Sequence, residues 1–363
     1  MRIAIYSGSF DIVTEGHFWM IKKGIELFDQ LIIGIGTNPD KQALFDFKTR
    51  KQLLETICAG LSDNIIIEDF SNLALVQFAH DKNAKYILRG IRSISDFDYE
   101  RMLKNVNADL DDSIETVFLM PPKNLSEVSS SMVKGMLKIQ GWENIIKRYV
   151  PEAMQLALIQ RFSYDPLQLA KLYLGESISE TLKNYYHQFD RYYHNLNHLT
   201  VCLREFRQVE KYLQNPYSVL VALLFHDIIY DPKAKPLENE RASCEMAKTL
   251  CDFDKKDHDA IMSHILHTSH QYEGQRDTDT DYLCDIDMAI LGYNASEFEQ
   301  YEKTIRQEYG CFDDEEYKTG RVSFFKKLLD NKAIYKTPYF RMKYEIHARA
   351  NIEKLINELL EEL

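Results

Sequence analysis

Two folds are predicted along this chain of 363 residues: a parallel α/β sheet with helices on both faces, then an all-α domain. Three observations predict them. Up to about residue 150, short apolar strand patterns alternate with helical stretches, and alternation of this kind builds a parallel sheet. A glycine-bearing turn joins the first strand pattern (Ile3, Ile5) to the first helical one (Phe18, Ile21, Ile25, Phe28). From residue 166 the strand signal fades and apolar residues recur at helical spacing, as in Leu196, Leu199, Leu203, Phe206 and Leu213.

In chain order, the expected strands cover 2–6, 31–36, 65–68, 86–88 and 115–119. Helices are expected near 17–28, 48–60, 72–82 and 97–109, with another after Ser130. Pro151 is expected to end the first domain's last loop, and residues 152–163 read as a helix that Pro166 breaks. This gives domains at 1–160 and 165–363, joined by a helical, fairly stiff linker. In the second domain an apolar run from Tyr217 to Tyr230 is interrupted by His226-Asp227. Ser296-Glu297-Phe298-Glu299 reads as a capping box ahead of Tyr301, Ile305 and Tyr309. The acidic patches 277–281 and 313–316 read as solvated loops, and an amphipathic helix from Tyr344 to Leu360 closes the chain.

Composition narrows the function. A net charge of −12 argues against a sequence-independent nucleic-acid binder, which needs a basic face, yet leaves room for a local basic pocket. No apolar run is long enough to span a bilayer. Met1-Arg2-Ile3 leads straight into a strand pattern, so no signal peptide is expected. The six cysteines are scattered, with no Cys-x-x-Cys, as in reduced thiols of a cytoplasmic protein.

The chemistry of the first domain centres on Ser7-Gly8-Ser9-Phe10-Asp11-Ile12-Val13-Thr14-Glu15-Gly16-His17. A strand, a tight turn and a helix N-terminus make a place to hold phosphate, because free backbone N–H groups and the helix dipole favour an anion. His17, in the first helical turn, can donate to a phosphate oxygen as charge builds on it. Ligands of a parallel sheet bind beyond the carboxyl ends of its strands. Ser9, Lys41, Arg89 and Ser129-Ser130-Ser131 fall there. Lys41 offers a point charge, Arg89 and Arg92 flank Gly90 and Ile91 and suit bidentate phosphate contact, and the serines open a helix. Each also has a bland reading: a solvated lysine, a surface ion pair, a helix cap. Their convergence at one end of one sheet favours the functional reading.

The Gly-x-Phe-Asp-x-x-Thr-x-Gly-His run resembles the Thr-x-Gly-His signature of nucleotidyltransferases, and specifically of phosphopantetheine adenylyltransferase. The resemblance extends through Asn38-Pro39-x-Lys41, Arg89-Gly90-Ile91-Arg92, Ser95 to Glu100, Asn107, Val117 to Pro121 and Val128 to Lys134. It implies a Rossmann-like sheet and transfer of AMP from ATP to 4′-phosphopantetheine, giving dephospho-CoA and pyrophosphate with Mg²⁺. It implies that His17 stabilises the transition state, that Ser9 and Phe10 touch ATP and substrate, and that Lys41 and Arg89 hold the acceptor's phosphate. Gly90, Ile91, Arg92, Glu100 and the run Leu125, Ser126, Glu127, Val128, Ser129, Ser130 and Ser131 would hold ATP. Where the family usually has proline this chain has Ile12, which removes some rigidity from the loop. Glu127 replaces an aromatic or apolar residue, and Leu73 a small hydroxyl residue that meets the pantetheine arm. A homo-oligomer built by this domain is also implied.

In the second domain His226-Asp227 follows Val221-Ala222-Leu223-Leu224-Phe225, and such polar groups are costly to bury unless paired or bound to a metal. His194 and His198 lie upstream, read as one helical turn apart, and Asp285 and Asp287 downstream. A His, His, Asp, Asp set suits Mn²⁺, Fe, Ni or Mg²⁺. This order resembles the HD superfamily of metal-dependent phosphohydrolases. The match runs through Arg191 to His198, Phe225 to Asp231, Glu238-Asn239-Glu240 and Asp285 to Gly292. It implies His198, His226, Asp227 and a later aspartate as ligands; Asp287 is preferred, from its spacing to Leu291-Gly292, and Asp285 is the second choice. His194, Glu240 and His270 are candidates for substrate contact or a second metal. His264 and His267 are expected as partly exposed helix histidines, and His80, His187 and His258 have no role. A non-catalytic metal- or nucleotide-binding module, and another phosphorylated acceptor for the first domain, are the alternative readings.

Overall fold

The computed structural model describes residues 1–36, 43–70, 73–269 and 271–361. The chain divides into two compact units, Met1–Ser163 and Tyr164–Leu363. In the first, five parallel strands lie in the order β3-β2-β1-β4-β5: β1 (Ile3–Gly8), β2 (Gln30–Ile35), β3 (Ile65–Asp69), β4 (Tyr86–Gly90) and β5 (Glu115–Leu119). They alternate with α1 (Glu15–Leu27), α2 (Phe47–Cys58), α3 (Leu75–Asp81) and α4 (Ile94–Leu110); α5 (Ser130–Met136), α6 (Trp142–Ile145) and α7 (Glu152–Phe162) complete the unit. The central strand is buried along Ile3, Ala4, Ile5 and Tyr6, and β2 along Leu31, Ile32, Ile33 and Ile35. Strands covered on both faces, as β1 and β2 are, read as apolar runs rather than alternating ones, which is why the sequence locates these two to within two residues. The strand order reverses between β1 and β4, opening a crevice at their carboxyl ends.

The signature loop leaves β1 through two non-glycine residues at positive φ, Phe10 at 49° and Ile12 at 80°. Proline is confined near −65°, so the backbone at Ile12 takes a conformation closed to proline. A proline at this position could not keep this path. Two constraints hold that path: both side chains are fully buried, and the Ser130 hydroxyl donates to the Ile12 carbonyl at 2.7 Å.

The second unit is helical: α8 (Pro166–Leu174), α9 (Glu176–Tyr186), α10 (Leu196–Val209), α11 (Pro216–Phe225), α12 (Glu238–Leu250), α13 (Lys255–Thr268), α14 (Thr278–Asp287), α15 (Ala295–Glu308), α16 (Asp314–Asp330) and α17 (Pro338–Glu361). Helix α11 is apolar all round and buried from Ser218 to Phe225, as a central helix must be. It packs against α8, α10, α12, α13 and α14.

Several sequence expectations change here. Pro166 opens α8 at its first position, where a missing N–H costs nothing, instead of breaking a helix. Both acidic patches start helices: Asp277 caps α14 and Asp313 caps α16. Asp279 is buried, accepting from the backbone N–H groups of Gln214 and Asn215. The cap of α15 is Asn294, whose side chain accepts from Glu297 N, and not Ser296. No described helix is long and apolar enough to cross a membrane.

Two glycines of the second unit predict opposite effects. A Cβ on Gly292 would lie 2.5 Å from the Tyr344 Cβ and 2.9 Å from its carbonyl. Gly292→Ala is expected to destabilise by about 1–3 kcal/mol through overpacking. Gly320, exposed within α16, has nothing within 4 Å of the same position. Gly320→Ala is expected to stabilise by about 0.5–1 kcal/mol. Urea unfolding of the full chain measures both; equal effects would refute the packing argument.

Candidate functional sites

In the first unit, β1 delivers the signature loop to the N-terminus of α1. Thr14 caps that helix, and His17 sits three residues on, its side chain reciprocating in a capping box. The backbone N–H of Thr14 donates to His17 Nδ1 at 3.0 Å. A nitrogen that receives a donor carries no proton of its own, so the neutral ring bears its hydrogen on Nε2. Burial, and then the Arg92 guanidinium, push His17 down to about 4, so it is neutral at physiological pH. Phe10 lies edge-on to the His17 ring, centroids 5.4 Å apart. The result is an oriented, uncharged N–H donor.

His17 lines a cavity of ≈ 340 Å³ together with Arg89, Gly90, Arg92, Glu100, Leu125, Val128 and Ser129 to Ser131. The structure thus brings most of the sequence-predicted residues to one place. Within it, Arg89 is fully engaged: Nε donates to Glu100 at 2.7 Å, Nη2 bonds the same carboxylate, and Nη1 donates to Ser7. Arg92 bonds Asp96 at 3.0 Å and the Val128 carbonyl at 3.0 Å. The hydroxyls of Ser129 and Ser130 are used internally, one capping α5 and the other on Ile12. Phe10 is a buried support rather than a wall of the cavity. Ser9, Ile91, Ser126, Glu127 and Leu73 do not line it either, and Ser9, Glu127 and Leu73 are exposed. Lys41 lies outside the described residues. Both carboxylates of the cavity wall, Asp96 and Glu100, are ion-paired with arginines, so the residues present do not build a cation site.

In the second unit three helix ends converge. His198 stands in the first turn of α10, His226 and Asp227 follow α11 directly, and Asp287 ends α14. One ligand atom from each of the four lies within 4.8 Å of the others. The His226 and Asp227 contact is 2.9 Å, His198 to Asp287 is 3.2 Å, His226 to Asp287 is 3.4 Å and His198 to Asp227 is 3.5 Å. The two Nε2 atoms are 3.2 Å apart. Ligands about 2.1 Å from one cation and at right angles to each other are about 3 Å apart, so these spacings fit a metal. His226 Nδ1 faces the Leu223 carbonyl at 2.9 Å and must donate to it, so in the neutral ring the lone pair is on Nε2. His198 Nδ1 lies 3.1 Å from the Tyr193 hydroxyl. Burial works to lower the proton affinity of His226, but the Asp227 and Asp287 carboxylates overcome it and hold it well above the usual range. Burial likewise works to raise Asp287, and hydrogen bonds from His198 and His226 hold it well below. The cluster draws in positive charge.

Asp285 is turned elsewhere, accepting from Lys336 N and Thr337 N at 2.7 Å each. His194 precedes α10 rather than lying on it with His198. Its Nδ1 is bonded to Glu308, its ring stacks on Tyr230 at 3.9 Å, and it lines a cavity of ≈ 570 Å³ with Asp227, Asp287 and Glu240. Glu308 also accepts the backbone N–H groups of Tyr193 and His194. Arg191 ties the carbonyl of His194 to those of Asp227 and Ile228. Tyr301, Tyr309, Phe312, Tyr317 and Phe324 wall the cavity. His264 and His267 are buried, not partly exposed: the first bonds Thr280 and Ser218, the second Ser263 and Gly274. His270 lies outside the described residues.

Comparison with known proteins adds the following. Residues 5–136 match the family model described as cytidylyltransferase-like. The phosphopantetheine adenylyltransferase of Chromobacterium violaceum is 45% identical over 163 residues, covering 45% of this chain and 99% of that protein. Its counterpart in Neisseria meningitidis serogroup C is 43% identical over 164 residues, covering 45% of this chain and 96% of that protein. Among solved structures, Plasmodium falciparum nicotinic acid mononucleotide adenylyltransferase complexed with NaAD is 18% identical. It covers 44% of this chain and 95% of its own, with a TM-score of 0.34.

The geometry of His17 makes a direct prediction. The folded ring protonates near 4, whereas an ordinary histidine does so at 6.5. The unfolded chain therefore takes up that proton first, and His17 withdraws stability as pH falls through this window. An NMR titration of the free protein is expected to find the His17 ring neutral, with hydrogen on Nε2, down to about pH 5. A midpoint at the ordinary value would refute the assignment.

Proposed function

The chain belongs, through the 163 residues of that match, to the phosphopantetheine adenylyltransferase family, and from this premise we propose that its first unit transfers AMP from ATP to 4′-phosphopantetheine, a step of coenzyme A biosynthesis. The observation that carries the reading is the neutral, oriented His17 in one cavity with Arg92 and the start of α5. In the reaction a phosphate oxygen of the acceptor attacks the α-phosphorus, the bond to the bridging oxygen breaks, and pyrophosphate leaves with the electron pair. No protein nucleophile is needed; the site positions anions and stabilises developing charge. His17 Nε2–H donates to the α-phosphate, and Arg92 holds the polyphosphate. Arg89, released in part from Glu100, and Lys41 hold the acceptor's phosphate. The Mg²⁺ that the family uses travels on the triphosphate, since the cavity's own carboxylates are committed to arginines.

For the second unit the reading is a metal-dependent phosphoester hydrolase of the HD type. It rests on the four-residue cluster, with His198, His226, Asp227 and Asp287 as the ligands. A divalent cation such as Mn²⁺, Fe, Ni or Mg²⁺ held by these four residues would supply charge neutralisation and ease the deprotonation of the water that attacks phosphorus. His194, clamped by Glu308 and stacked on Tyr230, is a substrate contact at the mouth of the same cavity.

Pyrophosphate release from ATP is expected to depend on 4′-phosphopantetheine, and His17→Ala is expected to lower kcat by about 10²–10³-fold with the fold retained. Release without acceptor would mean transfer of AMP to water and refute the reading, whereas no release in its presence would point to another phosphorylated acceptor. Elemental analysis of the purified full chain is expected to find about one divalent transition metal per chain, lost in His226→Ala and in Asp287→Asn. A folded, metal-free protein would remove the hydrolase reading. Metal without turnover on any phosphate ester of a broad panel would leave a binding module in its place.

A further inference from the structure

The cavity of the second unit is much larger than a phosphate group. Its ≈ 570 Å³ lies in the range of about 300–1,000 Å³ that encloses whole small molecules. Asp227 and Asp287 of the four-residue cluster stand in its wall, and aromatic rings make up much of the remainder. Contacts among the rings fix them in place. Tyr309 and Phe312 lie near-parallel, 28° apart with centroids at 6.0 Å, and Tyr317 is 6.2 Å from Tyr309. The Tyr230 and Tyr309 hydroxyls bond each other at 2.9 Å, and the Tyr301 hydroxyl accepts from Arg321 at 2.6 Å. Other polar side chains of the wall are committed too, Asn239 to the backbone of Asp231 and Thr268 to the Ile265 carbonyl. The wall therefore offers ring surface more than free hydrogen-bonding groups, which suits a flat ring better than a bare sugar or polyol.

Charge narrows the ligand further. Among the described residues, the carboxylates of the wall are Asp227, Asp287, Glu240 and Glu316, and its cationic side chains are Lys235 and Arg321. Arg321 is answered by Glu302, at 3.1 Å and 2.5 Å. A divalent cation at the cluster would answer Asp227 and Asp287. That leaves Glu240 and Glu316 against one exposed lysine, Lys235. One phosphate is met at the cluster, whereas a second anionic group farther out would face a net negative wall.

We infer that the ligand of the second unit is a phosphate monoester whose alcohol part carries a flat aromatic ring and no further negative charge, the ring lying on Phe312 and Tyr317. The inference rests on the hydrolase reading for the place of the phosphate. Hydrolysis of such an ester consumes one water, breaks the bond between phosphorus and the alcohol oxygen, and returns the free alcohol and inorganic phosphate.

Calorimetric binding to the full chain supplied with Mn²⁺ tests this. The probes are three phosphonates, which cannot be hydrolysed: benzylphosphonate, cyclohexylmethylphosphonate and 4-carboxybenzylphosphonate. Benzylphosphonate is expected to bind about 5–10-fold tighter than the cyclohexylmethyl compound of like size, and at least about 5-fold tighter than the carboxylated one. Phe312→Leu and Tyr317→Leu keep apolar bulk and remove a flat ring, and each is expected to cut the benzyl preference to within about 2-fold. Equal affinities, tighter binding of the carboxylated probe, or a preference that survives both variants overturns the inference. Should Tyr317→Leu not fold, Phe312→Leu, at a half-buried position, decides alone. Phosphate release from benzyl phosphate is followed alongside, and the benzyl preference without release upholds the ligand class while removing the hydrolysis. Mn²⁺ that does not bind the wild-type chain overturns the hydrolase reading and the inference with it. Bound Mn²⁺ with equal affinities overturns the inference alone.

Discussion

What a histidine does with one ring nitrogen is decided by what holds the other. At His17 the far nitrogen meets a backbone N–H, so it is bare and the working nitrogen is a donor. At His226 the far nitrogen meets a backbone carbonyl, so it carries the proton and the working nitrogen is a ligand. Helix polarity explains the difference. His17 lies at a helix N-terminus, where unpaired N–H groups are on offer, and His226 lies at a helix C-terminus, where unpaired carbonyls are. One residue type therefore turns a donor N–H outward in the first unit and, when neutral, a lone pair outward in the second, with no change in its own chemistry.

The rest of each site follows from keeping those rings still. In the first unit the loop that carries His17 runs through two strained residues, and strain at positive φ costs of order 1–3 kcal/mol per residue. It persists because Phe10 packs against both Tyr6 and His17 and because Ser130 holds the Ile12 carbonyl. In the second unit the holding group is Arg191. Its guanidinium gathers three carbonyls from the chain before α10 and the chain after α11, so the two histidine-bearing segments cannot drift apart independently.

Much of this was legible because it is local. Fully covered strands are continuous apolar runs, and Gly16-His17 or His226-Asp227 carries its meaning within a few residues. Helix starts are hidden where proline and aspartate read as breakers and loop residues: Pro166, Asp277 and Asp313 begin helices, since a first turn tolerates a missing N–H and rewards a side-chain acceptor. Illegible were the partners brought in by tertiary packing. Glu308 reaches His194 across 114 residues and Asp11 reaches Leu44 across 33, and no periodicity announces either. His264 and His267 look like surface residues for the same reason: the hydroxyls and carbonyl that satisfy them come mostly from other segments. Asp285 and Asp287 differ by two positions, enough on a helix to turn one carboxylate to the backbone at 336–337 and the other to the histidines.

A chain with net charge −12 that handles phosphates must overcome its own field locally. The two units use different physics for this. The first neutralises its wall carboxylates with arginines, so that Glu100 and Asp96 orient guanidiniums instead of repelling the nucleotide, and the remaining attraction comes from backbone and imidazole N–H groups. The second concentrates negative charge, setting two carboxylates against two imidazoles within 4.8 Å, an arrangement that needs compensating positive charge, from a protonated imidazole or a cation. A donor-lined site holds an anion with its protein atoms alone, whereas a carboxylate-rich site can approach one only through a cation.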